Sequence, residues 1–146
     1  MKNKNKLTPS KGFIISDPIH KRKDSNLQLL RITITELETK VDFGYQATSY
    51  YIKGGWIKIS PQTFIRPNGG TQNLILTNAT NIPYGPEKLH FNSTIEWRYF
   101  SLIFPPIKPE TIFFDLIEKE NGTDNDFNFY GVRLDDLKKK SLVYYS

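Results

Sequence analysis

Cysteine is absent from this chain of 146 residues, so disulfides, thiolate nucleophiles and cysteine-ligated metals are excluded. Histidine, the usual acid–base residue near neutral pH, occurs only as His20 and His90. The two are far apart and no third ligand completes a metal set. No run of about 18 apolar residues exists, which leaves no membrane-spanning helix. The start of the chain carries the lysines of a secretory leader without the apolar stretch that follows them in one, since Phe13-Ile14-Ile15 is far too short. The expected location is cytoplasmic for the chain as written, and periplasmic or envelope if a leader was removed. Gly54-Gly55 and Gly69-Gly70 lack the spacing and the following lysine of a phosphate loop, and no serine sits in a Gly-x-Ser-x-Gly elbow. Helical periodicity is confined to one turn at residues 134–140.

Aromatic residues are abundant, with ten Phe, eight Tyr and two Trp. Such side chains suit pleated, half-buried surfaces. Leu30, Ile32 and Ile34 alternate with Arg31, Thr33 and Thr35, and Val41, Phe43 and Tyr45 alternate with Asp42 and Gly44. Period-two alternation predicts strands with one face in a core. Pro67-Asn68-Gly69-Gly70 is a turn between the runs 63–66 and 74–77, predicting a hairpin. Residues 97–104 form the most strand-like segment, stopped by Pro105-Pro106. The runs 112–117 and 127–134 make a last pair, joined by the acidic loop 118–126. Eight or nine short strands with regular turns predict an all-β protein built as a two-sheet antiparallel, immunoglobulin-like β-sandwich. The expected inward set is Ile32, Ile34, Val41, Phe43, Trp56 and Ile59, then Leu74, Leu76, Phe91, Leu102 and Phe104, then Phe114, Leu116, Phe129 and Val132.

Charge is unevenly placed. Residues 1–23 hold Lys2, Lys4, Lys6, Lys11, Lys21, Arg22 and Lys23 against Asp17 alone. That is seven of the 20 basic residues and one of the 15 acidic ones, leaving thirteen against fourteen in the rest. The expected organisation is a basic, largely flexible tail over 1–26, a β-sandwich domain over 27–134 and a C-terminal extension over 135–146. A flexible cationic segment attracts phosphate backbones and acidic proteins at long range. Those seven cations are therefore the candidate partner-binding or nucleic-acid-binding residues.

Trp56-Ile57-Lys58-Ile59-Ser60-Pro61, the run from Phe100 to Ile107, Phe114-Asp115-Leu116-Ile117-Glu118 and Phe127-Asn128-Phe129-Tyr130-Gly131-Val132 together resemble a group of bacterial immunoglobulin-like β-sandwich domains of unassigned activity. The resemblance covers residues 30–134. Such domains occur alone or fused to other modules in envelope and secreted proteins. It implies a binding or scaffolding module and carries no catalytic residue across; the basic tail and the missing leader depart from the pattern.

The expected function is therefore a non-enzymatic protein-binding or scaffolding module without a cofactor, serving as a subunit of a larger assembly. A nucleic-acid-associated protein using its tail is the first alternative, and a glycan-binding module using surface aromatics such as Trp97 and Tyr99 the second. His20 is expected in solvent with the tail, and His90 pointing outward from a strand. Loop 118–126 reads as a solvated hairpin loop rather than a calcium site, because its carboxylates lack the required spacing and Lys119 opposes a cation. Asp115 and Glu118 are the available carboxylate pair for sugar hydrolysis, with surface or turn roles favoured.

Overall fold

The structure, a computed structural model, describes residues 10–23, 26–47 and 55–145. Its strands are β1 (Ser10–Ser16), β2 (Leu27–Ile34), β3 (Thr39–Gln46), β4 (Trp56–Ile57), β5 (Phe64–Pro67) and β6 (Leu74–Ile75). The series continues with β7 (Asn78–Thr80), β8 (Leu89–His90), β9 (Trp97–Phe104), β10 (Phe113–Ile117), β11 (Phe129–Arg133) and β12 (Lys140–Tyr145). No described residue is helical. The protein is all-β, and every pairing between strands is antiparallel.

Two sheets pack face to face as a sandwich. One has the order β12-β1-β2-β3-β9-β7 and the other β11-β10-β5-β6, with β4 and β8 forming a small ribbon. Along β3 and β9 every second side chain enters a single core, which is what period-two alternation requires. Phe43 on β3 meets Phe129 on β11 at 5.6 Å between ring centroids, and Phe100 on β9 meets Phe127 at 5.9 Å. These ring contacts join the layers.

The expected inward set is buried with two exceptions. Leu74 is only partly buried against the core, and Trp56 is 41% exposed while its neighbour Ile57 is buried. In β2 the alternation breaks at a bulge. Leu29 pairs with Phe43 and Arg31 with Asp42, so Leu30 is the extra residue. The bulge turns Leu27 and Leu29 inward along with Ile32 and Ile34, and leaves Leu30 36% exposed. The turn after 66 and the pairing of the last two predicted runs are present, as β5–β6 and β10–β11.

The larger sheet continues across the boundaries expected at 26 and 135. β1 lies inside the six-stranded sheet, pairing with β2 on one side and β12 on the other. Its Ile15 is fully buried. Only residues 1–9 and 24–25 of the expected tail lie outside the described residues. The residues expected to make a helical turn form ordinary turns, and the extension beyond them becomes β12. Seven residues are too few to show sustained alternation, and Lys11 at the start of β1 hides its apolar character among the lysines. Ile15→Ala is expected to lower unfolding free energy by about 2–5 kcal/mol, the range for truncating a buried aliphatic side chain. Urea denaturation checks this; a residue of a free tail would show no loss.

Candidate functional site

Residues 17–23 of the basic segment do not project from the fold. After β1 the chain turns at Asp17, where φ is +48°, and runs beside β11. Lys21 N–H donates to the Tyr130 carbonyl and Arg133 N–H to the Ile19 carbonyl, so residues 19–21 cover the edge of β11. Gly131 lies under this crossing with φ at +61°, and a Cβ there would stand 3.3 Å from the Lys21 side chain. Its N–H donates to the carboxylate of Asp115 on β10 at 2.8 Å, so Asp115 serves the irregular stretch of the β10–β11 pairing.

Arg22 then reaches the acidic loop through its backbone. One guanidinium nitrogen donates to the carbonyls of Asp126 at 2.7 Å and Asn128 at 3.2 Å, and the other to Asp124 at 2.7 Å. The plane of the group also lies 5.4 Å from the centre of the Phe129 ring. A guanidinium has a rigid fork of donors that suits converging carbonyls. His20 sits edge-on to Phe129 at 4.9 Å, and its Nδ1 accepts the Arg22 N–H. His20 is thus half-buried rather than solvated. Desolvation lowers its pKa below 6.5; Asp17 opposes the shift and Arg22 adds to it.

Of the seven candidate cations, Lys21, Arg22 and Lys23 come together around a cavity of about 610 Å³ with Thr123, Asp124 and Tyr130. Lys11 is exposed on β1, opposite Tyr144, away from that group. Lys2, Lys4 and Lys6 lie outside the described residues. His90 is exposed on β8, as expected. Trp97 and Tyr99 stack on each other at 6.3 Å, with both rings exposed. Among the described residues no three His, Asp or Glu side chains are placed to hold a metal ion, and no helix is long and apolar enough to cross a membrane.

The other candidate surface is the edge of β12, which among the described residues is the outer strand of the larger sheet. Ser16 N–H donates to the Lys139 carbonyl at 2.9 Å, which sets the phase of the β1–β12 ladder. Alternation then turns the backbone groups of Ser141 and Val143 toward β1, and those of Lys140, Leu142 and Tyr144 toward the open side. Leu142 stands opposite Phe13, which itself stands opposite Ile34, so Leu142 and Tyr144 share the core-facing side of the sheet. They are nevertheless 49% and 58% exposed. Lys140 closes one end of this apolar row, with its ammonium 4.5 Å from the Phe13 ring centre. Sequence reasoning missed the edge because it placed these residues in an extension; the alternation of Lys140, Leu142 and Tyr144 was the available signal.

Arg22→Ala is expected to cost about 1.5–3 kcal/mol, the range for hydrogen bonds to a charged group, and to speed proteolysis within loop 118–126. Urea denaturation and limited trypsin digestion report both. The lowered His20 pKa means that the unfolded chain binds a proton more readily, so its contribution to stability is present above pH 6.5 and lost as pH falls through the folded value. Urea midpoints at about pH 7 and about pH 5 should fall further for wild type than for His20→Gln, which does not titrate. Comparison with protein-family models, with curated proteins and with solved structures finds no match to this chain.

Proposed function

We propose that this chain is a non-catalytic scaffolding module of immunoglobulin-like build that assembles by strand addition at β12, and that the strand it accepts is β12 of a second copy. The observation that carries this reading is the outward-facing backbone of Lys140, Leu142 and Tyr144, with which no described residue pairs, beside exposed apolar side chains. Edge strands of this kind are templates for pairing with another chain. The immunoglobulin-like description rests on two antiparallel sheets between which the chain repeatedly crosses, after β3, β6, β9 and β11.

Register favours self-pairing. A twofold axis through Leu142 sets Leu142 against Leu142 and Lys140 against Tyr144, with all three outward residues in hydrogen-bonded positions. Directly opposed like charges destabilise a strand pair. In this register no lysine from 140 onward faces another. Isologous pairing of one patch with itself is also the commonest form of soluble assembly.

The nucleic-acid reading draws on Lys21 and Lys23 at the cavity rim. Against it, the Arg22 fork is already bonded to three carbonyls, and Asp124 shares the cavity.

Proline separates the edge from the fold. Leu142→Pro removes an outward N–H, a place where an edge strand tolerates proline, whereas Val143→Pro removes one that faces β1. Sedimentation should show a concentration-dependent dimer for wild type and a monomer for Leu142→Pro, with an unchanged circular dichroism spectrum. Val143→Pro should instead lose thermal stability. A wild-type chain that stays monomeric up to about 1 mM rejects the proposal.

A further inference from the structure

A second cavity, of about 400 Å³, opens at the end of the sandwich where β3, the β4–β8 ribbon and the 118–126 loop converge. This volume lies within the range of about 300–1,000 Å³ common for small-molecule sites. Its apolar wall is aromatic: Trp56, Tyr45 and Phe127 line it. Tyr45 and Phe127 stack on each other at 6.2 Å, and Phe127 is anchored in turn on Phe100. Trp56 is set by Lys88, whose ammonium lies 4.2 Å from the ring centre.

The polar wall carries both signs of charge. Glu118 and Asp126 contribute carboxylates, Lys58 an ammonium and Asn125 an amide. Glu118 is fixed in place, since one oxygen accepts the Ser60 N–H at 2.9 Å and the other the Phe127 N–H at 2.8 Å. Burial raises its pKa, so the two backbone donors only partly offset its lost hydration. Further hydrogen-bond donors from a ligand would meet an under-solvated acceptor.

Charge narrows the ligand class. A cation would find the aromatic and carboxylate groups it wants, but Lys58 lines the cavity and Lys88 already stands over Trp56. An anion would face Glu118 and Asp126. A neutral ligand with many hydroxyls offends neither sign. Its hydroxyls donate to the carboxylates and accept from the ammonium, while an apolar C–H face lies on an aromatic ring. From this combination we propose that the cavity is a binding site for a ring of an uncharged oligosaccharide, with Trp56 as the stacking side chain and Lys58 and Asn125 as hydrogen-bonding groups. The site is independent of β12 and of any assembly made there. The open pair Trp97–Tyr99 is a poorer candidate, because those two rings stack on each other and neither lines the cavity.

The chain has two tryptophans, so a Trp97→Phe background leaves Trp56 as the sole indole reporter. In that background Trp56 emission is titrated with cellotetraose, xylotetraose, mannotetraose and chitotetraose, and with tetramethylammonium chloride and sodium phosphate as charged probes. At least one oligosaccharide should give a saturable change that neither charged probe reproduces. Lys58→Met and Asn125→Ala, both at exposed positions, should each weaken it by about tenfold. Calorimetry with the unmodified chain should return the same affinity as the Trp97→Phe variant. The proposal is overturned by no saturable response to any oligosaccharide, by a saturable response to a charged probe, or by an oligosaccharide response that neither cavity variant weakens.

Discussion

The structure depends on a continuous row of aromatic rings running through the core. Phe43 and Phe100 stack at 5.0 Å on adjacent strands of the larger sheet. Phe129 reaches them from the smaller one and Phe127 from the connection leading into it, and Tyr45 and Phe91 prolong the row toward the cavity end. Rings bury more area than aliphatic side chains and add specific geometry to it. Here they also fix the spacing and angle between the layers. Arg22 and His20 pack at one end of the row, on Phe129, and Tyr45 and Phe127 line the second cavity near the other. Both features therefore depend on the same stack.

The loop between β10 and β11 illustrates how polar groups are distributed around that stack. It carries four carboxylates, yet Arg22 of the basic segment grips it by three of its backbone carbonyls. Its conformation is set internally, by Glu118 holding the Phe127 N–H and by Asp126 holding the Thr123 N–H. Asn128 completes the loop by accepting from Glu118 and Lys119 and donating to the Lys119 carbonyl. The acidic character visible in the sequence thus coexists with a well-braced backbone. A loop braced in this way can place side chains such as Asn125 for recognition without ordering on each encounter.

Much of the sandwich was legible from alternation alone. Residues such as Val41, Phe43, Leu102 and Phe104 lie on long uninterrupted strands, and period two identifies their inward face without tertiary knowledge. Trp56 and Leu30 failed for local reasons. Trp56 belongs to a two-residue strand, too short to set a phase, and Leu30 is the extra residue of a bulge, which reverses the phase partway along β2. The candidate sites were less legible. A density of lysines says nothing of whether one arginine is turned inward, and Arg22 is recognisable as a brace only once β11 lies beside it. The cavity joins residues from distant parts of the chain, Tyr45, Trp56 and Phe127, whose convergence is a property of topology rather than of any local motif.

The pairing of β1 with β12 joins residues about 130 positions apart in the chain. Contacts between such distant segments form slowly, because a large loop must close first. On the ribosome, β1 can dock on β2 as soon as the β1–β2 connection is made, yet its opposite margin stays bare until residues 140–145 have been added. Throughout that interval the nascent domain carries an unprotected strand at its start, and a chaperone or a neighbouring nascent chain has that long to reach it.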